Sequence, residues 1–223
     1  MSSSKPTSTS QQRPKASALP KPPTTLDPTC VIADSAILTG KYPISIGPQT
    51  VLHPRAMIIS AYGPVTIGRG CIISEKAVVG IAKQDDSGTK DVEMTTAVAT
   101  TSTPPPTYEI HLGDDVVLEP AAVVEGSIGL GSSIQAGARI GKGSVVGKYC
   151  KITPLCTLPP GDELSDFSII YGKNQRRQER PGLERLRKVV HDKELEVLRT
   201  LIPGNLAKWQ TTAASGVGAG GAS

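Results

Sequence analysis

Residues 128–145 read IGLGSSIQAGARIGKGSV, with an aliphatic residue at every sixth position. A helix face repeats every 3.6 residues and a strand alternates every two, and a single strand of this length with so many glycines is implausible. We therefore interpret each six-residue unit as a short strand followed by a turn. The step continues without a break at Ile134, Ile140, Val146, Ile152, Leu158, Leu164 and Ile170.

The same step occurs earlier in the chain in groups of three. These groups are Ile32, Leu38, Ile44; Ile46, Leu52, Ile58; Ile67, Ile73, Val79; and Leu112, Leu118, Val124. Three units make one coil of triangular cross-section, and each slip in register then falls at one corner. Small residues two positions before the aliphatic, such as Ala36, Cys71 and Ser132, suit the narrow corners of such a prism. The pattern predicts an all-β fold, a parallel β-helix of about seven coils over residues 30–172.

Four segments lie outside the repeat. Residues 1–29, rich in Ser, Thr, Pro and Lys, are predicted to be a disordered tail, and residues 83–109 a flexible insertion loop. Residues 173–209 are predicted to form a basic linker and a C-terminal helix, which begins near Pro181 and ends near Leu201. Residues 210–223 are predicted to be a disordered Gly/Ala/Ser tail.

Composition limits the class of protein. The chain has 223 residues, a formal net charge of +4, only 3% aromatic residues and four cysteines. This charge does not by itself indicate a nucleic-acid partner. No apolar run approaches the length of a transmembrane helix and no signal-peptide pattern opens the chain, so we expect a soluble, non-secreted protein. The cysteines form no CxxC pair, which favours a reducing compartment.

The repeat resembles the hexapeptide-repeat superfamily, whose members fold as left-handed β-helices. The handedness comes from this resemblance, because the periodicity does not give it. The superfamily includes carbonic anhydrases that bind zinc through three histidines and acyltransferases that use a histidine base. Alignment on the carbonic anhydrase motifs puts Ile59, Arg69 and Ser74 at the ligand positions, and none of them replaces imidazole.

Three histidines are candidates for a catalytic base: His53, His111 and His191. For each of them we weigh a solvated or structural role above a catalytic one. Cys150 and Cys156 occupy the small inward position of successive units, so core packing is favoured over metal binding. We predict that the chain is not an enzyme and has no metal site and no cofactor.

Two stretches carry a more specific resemblance. Residues 45–79, SIGPQTVLHPRAMIISAYGPVTIGRGCIISEKAVV, and residues 167–181, FSIIYGKNQRRQERP, are similar to the dynactin subunit 6 family. These are β-helix subunits of dynactin's pointed-end complex, and the long loop after Val79 also matches them. The resemblance implies a non-catalytic structural subunit, located in the cytoplasm and cytoskeleton, that supports dynein-dependent cargo attachment and microtubule-based transport.

The implied partners are a sister β-helix subunit (dynactin subunit 5), an actin-related pointed-end capping subunit, other dynactin subunits and, indirectly, dynein. Nucleic-acid binding and direct membrane insertion are not expected. The alternative from another class is a hexapeptide-repeat acyltransferase that acts as a homotrimer.

Two sets of residues in the C-terminal segment are candidates for contacts. One stripe of the helix is predicted to pack on the last coils, around Leu164 and Ile170; it comprises Leu183, Leu186, Val190, Val197, Leu198 and Leu201. Residues 173–193 hold eight basic and three acidic side chains. They form either a solvated surface or a docking surface for an acidic partner, and the candidate partner-binding residues are Arg176, Arg177, Arg180, Arg187 and Lys188.

Overall fold

The computed structural model describes residues 21–81 and 108–209. Their main feature is a column of twenty short parallel strands that wind into a triangular prism, with six complete coils and two sides of a seventh. The predicted 1–20 part of the N-terminal tail, most of the insertion loop and the 210–223 tail lie outside the described residues. The predicted parallel β-helix with a C-terminal helix is confirmed.

Each side of the prism is one sheet. Face 1 consists of β1 (Thr24–Leu26), β4 (Ile44–Ile46), β7 (Val65–Ile67), β10 (Ile110–Leu112), β13 (Ser127–Ile128), β16 (Val145–Val146) and β19 (Glu163–Leu164). Face 2 consists of β2 (Val31–Ile32), β5 (Val51–Leu52), β8 (Ile72–Ile73), β11 (Val117–Leu118), β14 (Ser133–Ile134), β17 (Lys151–Ile152), β20 (Ser168–Tyr171) and β21 (Gln175–Gln178). Face 3 consists of β3 (Ile37–Gly40), β6 (Met57–Ser60), β9 (Val78–Gly80), β12 (Val123–Val124), β15 (Arg139–Ile140) and β18 (Thr157–Leu158).

The core is a stack of aliphatic side chains in register. Ile128 pairs with Val146 and Val146 with Leu164, so the regular coil advances by one strand per 18 residues. Ile44 pairs instead with Val65, because extra residues follow β6 at the corner between faces 3 and 1. The predicted inward positions are almost all buried, and extra residues are accommodated at this corner without disturbing the stack.

The C-terminal segment returns along the prism and closes its first coil. Helix α1 (Glu184–Leu201) is followed by a 3₁₀ turn (Leu206–Lys208) and by Trp209, which joins the main core cluster. The Thr24 hydroxyl donates a hydrogen bond to the carbonyl oxygen of Trp209 at 2.6 Å. β1 therefore belongs to the prism, which corrects the predicted end of the N-terminal tail at residue 29. Its pairing with β4 satisfies backbone groups that a tail would expose to water.

The other end of the prism is covered by β21, the one antiparallel strand among the described residues. The Arg176 guanidinium pairs with Asp162, and the Gln178 amide donates to the Ser165 hydroxyl at 3.0 Å. Both partners belong to the last coil. The segment predicted as a linker thus contains a strand, because reversing the chain pairs the edge that β20 would otherwise leave open.

Candidate interaction surface

Helix α1 packs on the first four coils of face 2 through a narrow stripe. Leu195 is buried with Val51 and Ile72 in a small cluster of its own. Leu198 and Ile202 extend this cluster, packing with two partly buried valines of the same face, Val31 and Val117. His191 precedes Leu195 by four residues, so the docked side chains follow the spacing of one helical face.

Polar contacts fix the N-terminal half of the helix at the corner between faces 1 and 2. His191 is buried, and its Nε2 donates to the carbonyl oxygen of Gly70 at 2.6 Å, since a carbonyl only accepts. The Lys188 ammonium bonds the carboxylates of Asp115 and Asp192, each at 2.7 Å. Burial opposes the charge of Lys188, but these two hydrogen bonds outweigh it and raise the pKa of Lys188.

A second apolar stripe of the helix remains uncovered by the described chain. It comprises five side chains, here called the ridge, that are 53% to 69% exposed: Leu183, Leu186, Val190, Val197 and Leu201. The sequence-based prediction that these residues pack on the prism near Leu164 and Ile170 is wrong. Of the predicted stripe only Leu198 packs with the buried cluster on face 2, and it does so near the first coils.

Beside the ridge runs a groove between the first half of helix α1 and face 2. Its volume is about 1180 Å³. The apolar side chains that line it are Leu186 and Val190 from the ridge, Val189 beside them on the helix, and Val117, Pro120, Leu130 and Tyr149 from the prism. Because ridge and groove are contiguous, they form one elongated apolar surface, the kind that marks contact with another molecule.

The basic candidate residues divide into two groups. Arg176 pairs with Asp162, Arg187 with Glu179 at 2.5 Å, and Lys188 with two carboxylates. Three of the five candidates are therefore neutralised within the chain. The Arg177 guanidinium lies 5.8 Å from the centre of the Tyr171 ring, and Arg180 is exposed and forms no ion pair within residues 21–81 and 108–209. These two arginines remain available to a partner.

The three histidines have different surroundings. His191 anchors the helix, and His111 is the exposed middle residue of β10. His53 is partly buried, which lowers its pKa despite the nearby charges of Glu194 and Glu75, and its Nε2 has no hydrogen-bond partner in the described chain. Over the same residues, no group of three or more His, Cys, Asp or Glu side chains is placed to hold a metal ion.

The docking site of the helix has a signal in the strands of face 2, which the pattern of the helix alone does not contain. The residues that precede the inward aliphatics on face 2 are Val31, Val51, Ile72 and Val117 in the first four coils, and then Ser133 and Lys151. Outward positions of an uncovered strand are usually polar. The change from apolar to polar marks where the helix contact ends.

Comparison of sequences finds curated proteins that resemble part of this chain. The chain is 32% identical over 97 residues to dynactin subunit 6 of Xenopus tropicalis, a match that covers 40% of this chain and 47% of that protein. It is 47% identical over 36 residues to dynactin subunit 6 of Danio rerio, or 16% of this chain and 18% of that protein. The chain thus spans at most about half the length of these relatives. No family model matches it.

Comparison of structures supports the fold. A hexapeptide transferase family protein from Anaplasma phagocytophilum superposes with a TM-score of 0.63 at 13% identity, covering 82% of this chain and 98% of that chain. The left-handed hexapeptide-repeat β-helix expected from the sequence is confirmed. In the described residues, no helix combines the length and apolar character needed to span a membrane.

The same likeness corrects one sequence-based prediction, that the chain is not an enzyme. A protein that shares this fold over 82% of the chain is a member of a transferase family. The prediction rested on histidines that fit no template, and a fold of this kind is compatible with catalysis. Transfer chemistry therefore belongs among the candidate functions.

Proposed function

We propose that this chain is a β-helix subunit of a dynactin-type assembly, in the cytoplasm and cytoskeleton. Its place would be the pointed end, beside a sister β-helix subunit (dynactin subunit 5) and the actin-related capping subunit. Other dynactin subunits and, through them, dynein would be indirect partners, so that the chain supports cargo attachment and microtubule-based transport. The partial similarity to dynactin subunit 6 supports this choice of assembly.

The observation that carries the proposal is the exposed ridge of helix α1. Five large aliphatic side chains on one helix stripe cost free energy in water, about 25 cal/mol for each Å² that a partner would otherwise cover. The helix does not need them for docking, because a different stripe holds it on face 2. A rigid prism that presents an apolar ridge beside an apolar groove is suited to permanent contact with another subunit.

The test is co-purification of the tagged full chain from native cytosol. We expect wild type to elute within an assembly far larger than the chain itself, and the double variant Leu186→Ser, Val190→Ser to elute alone. Leu155→Ser is the matched control, because Leu155 is 81% exposed at a corner of the prism away from the ridge. Equal incorporation of the double variant and the control would exclude the ridge as the subunit contact.

A second candidate is an acyltransferase that acts as a homotrimer, favoured by the fold likeness to the hexapeptide transferase family protein. Face 3 presents partly buried apolar side chains outward in its first four coils, namely Ile37, Met57, Val78 and Val123, which a trimer would cover. His111 is the histidine on a face of the prism whose side chain reaches solvent, and it is the candidate base.

This candidate is tested by sedimentation and by a thiol-release assay with acetyl-coenzyme A and a panel of amine and hydroxyl acceptors. A trimer whose acceptor-dependent release of the free thiol is lost in His111→Asn would establish the transferase. A monomer without acceptor-dependent release that enters a large cytosolic assembly would establish the subunit. The two results are independent, so each candidate can fail alone.

A further inference from the structure

Strand β21 presents a free backbone edge. It is the outermost strand of face 2, and no segment within residues 21–81 and 108–209 pairs with its outer side. The backbone N–H of Glu179 donates to the carbonyl oxygen of Phe167 at 2.8 Å. Since alternate residues of an antiparallel strand bond in opposite directions, Arg176 and Gln178 direct their N–H and C=O groups away from β20.

This edge is held in place by side chains of its own strand. The ion pair of Arg176 with Asp162 and the hydrogen bond from Gln178 to Ser165 fasten β21 to the last coil. The four residue pairs with β20, from Ser168 with Gln178 to Tyr171 with Gln175, fix its direction. A strand fixed in this way loses little entropy of ordering when another strand is added to it.

The charge around the edge is positive. Arg177 projects from β21 on the side opposite Arg176, and Arg180 follows two residues after the strand. Lys173 is also exposed, and neither Lys173 nor Arg180 forms an ion pair with the described residues. The neighbouring carboxylate of Glu179 is already engaged by Arg187. An added strand that carries carboxylates would find cations free to pair with them.

We propose that β21 binds an extended acidic segment of another protein by strand addition. The backbone of the segment bonds to Arg176 and Gln178, and its carboxylates pair with Arg177 and Arg180. This surface differs from the ridge, and the proposal holds for either candidate function. Basic residues on an edge also serve to prevent unwanted pairing, and the experiment separates these two roles.

The probe is a fluorescein-labelled peptide of alternating Glu and Val, about seven residues long, titrated with the full chain and followed by fluorescence anisotropy. We expect saturable binding that weakens about tenfold in Gln178→Pro, which removes one outward N–H. Gln178→Ala is the matched control: it loses the same bond to Ser165 but keeps the N–H, and binding should change less than about twofold. The double variant Arg177→Glu, Arg180→Glu should also weaken binding at least about tenfold.

A peptide methylated on its backbone nitrogens tests the same contacts from the ligand side, should Gln178→Pro fail to fold. We expect it not to bind. The proposal is overturned if the methylated peptide binds as well as the parent, or if a folded Gln178→Pro binds as well as Gln178→Ala. It is equally overturned if single-stranded RNA or anionic phosphatidylserine vesicles bind in preference to the peptide and do not respond to these changes.

Discussion

At the corner between faces 1 and 2, the small inward residues carry a hydroxyl or a thiol in every coil except the fourth, where Val116 takes this position. The hydroxyl of Thr50 donates to the carbonyl oxygen of Gly68 at 2.7 Å, and that of Ser132 to Gly147 at 2.8 Å. The Cys71 thiol makes the same contact with Gly113 at 3.1 Å. These donors satisfy carbonyl groups of the turn, so at this corner Thr50, Cys71 and Ser132 serve both volume and hydrogen bonding.

The thiols of Cys71 and Cys30 should be unreactive in the folded chain. Burial raises the pKa of Cys71 from its ordinary 9.0 to about 12, and burial, with the nearby Asp27, raises that of Cys30 to about 11. At about pH 8 we expect iodoacetamide to alkylate both only after unfolding in urea, as read by mass spectrometry. Rapid alkylation of Cys71 in the native chain would contradict this burial.

The same shifts fix the direction of a pH effect on stability. Because the pKa of the Cys71 thiol in the folded chain is above its unfolded value of 9.0, the folded state binds the thiol proton more tightly than the unfolded state does. The contribution of the protonated Cys71 thiol to the free energy of unfolding is complete below about pH 9 and is lost as the pH rises toward about 12. Urea denaturation at about pH 8 and about pH 10 should show lower stability at the higher pH, with a smaller loss in Cys71→Ala. An equal loss in that variant would assign the effect to other groups.

Two glycines at positive φ separate backbone strain from crowding. Gly131 has φ +65° and Gly143 has φ +68°. A Cβ on Gly131 would lie 2.6 Å from the ring of Tyr149, whereas a Cβ on Gly143 would meet no atom within 4 Å. We expect Gly143→Ala to cost about 1 kcal/mol of unfolding free energy from backbone strain.

Gly131→Ala should cost about 1–3 kcal/mol more, because the Tyr149 ring, stacked on Phe167 at 5.4 Å, has to move. Chemical denaturation of the two variants measures the difference, and Tyr149→Ala should remove most of it. Equal losses of unfolding free energy in Gly131→Ala and Gly143→Ala would show that the Tyr149 ring moves at no cost in free energy.

At the scale of the element, helix α1 has two apolar stripes and only one of them docks. Leu195→Ala should lower the free energy of unfolding by about 2–5 kcal/mol, because it opens a cavity against Val51 and Ile72. Leu186→Ala is the matched control on the exposed ridge and should change it by less than about 0.5 kcal/mol. Urea denaturation of the purified chain measures both, and the reverse order would mean that the ridge is the docked stripe.

The prism could be predicted from the sequence, but the place where helix α1 packs on it could not. Every six-residue unit needs one aliphatic residue that points into the core, so the period is evident from Ile128 to Ile170. The helix has no such repetition, and its ridge is the more apolar stripe. The hydrophobicity of the helix alone therefore favoured the wrong stripe as the docked one. The outward valines of face 2 were needed to identify the stripe that docks.

The interaction surface was only partly predictable for a similar reason. The basic residues were evident, but their pairing with Asp162 and Glu179 depends on which carboxylates the fold brings near. β21 has the sequence QRRQ, which lacks the alternation of a half-buried strand. Its strand conformation comes from pairing with β20, a tertiary contact that no local pattern encodes.

At the scale of the whole molecule, the prism is closed at both ends by the same C-terminal segment. Trp209 covers the first coil and is 8% exposed, while its indole Nε1 has no hydrogen-bond partner in the described chain. Trp209→Ala should lower the unfolding free energy by about 3–5 kcal/mol through the loss of this cover. Trp209→Phe should stay within about 1 kcal/mol of wild type, since it keeps an apolar ring and removes the unpaired N–H.

Thermal and urea denaturation of the two Trp209 variants provide the measurement. A destabilisation by Trp209→Phe as large as that by Trp209→Ala would show that a smaller apolar ring does not replace the cover that the indole provides. Loss of protection in amide hydrogen exchange should be confined to the first coil in Trp209→Ala, because each coil contacts only its neighbours.

The hydrogen bond between Thr24 and Trp209 joins residues 185 positions apart. A chain emerging from the ribosome is able to stack its coils in the order of synthesis, each on the one before it. The end of the prism at the first coil nevertheless remains uncovered until residue 209 has left the exit tunnel. Helix α1 must also have formed, and the C-terminal segment must have folded back onto the first coil. The coil that is made first among the seven is thus completed last, and during translation its apolar end is a surface in need of a chaperone.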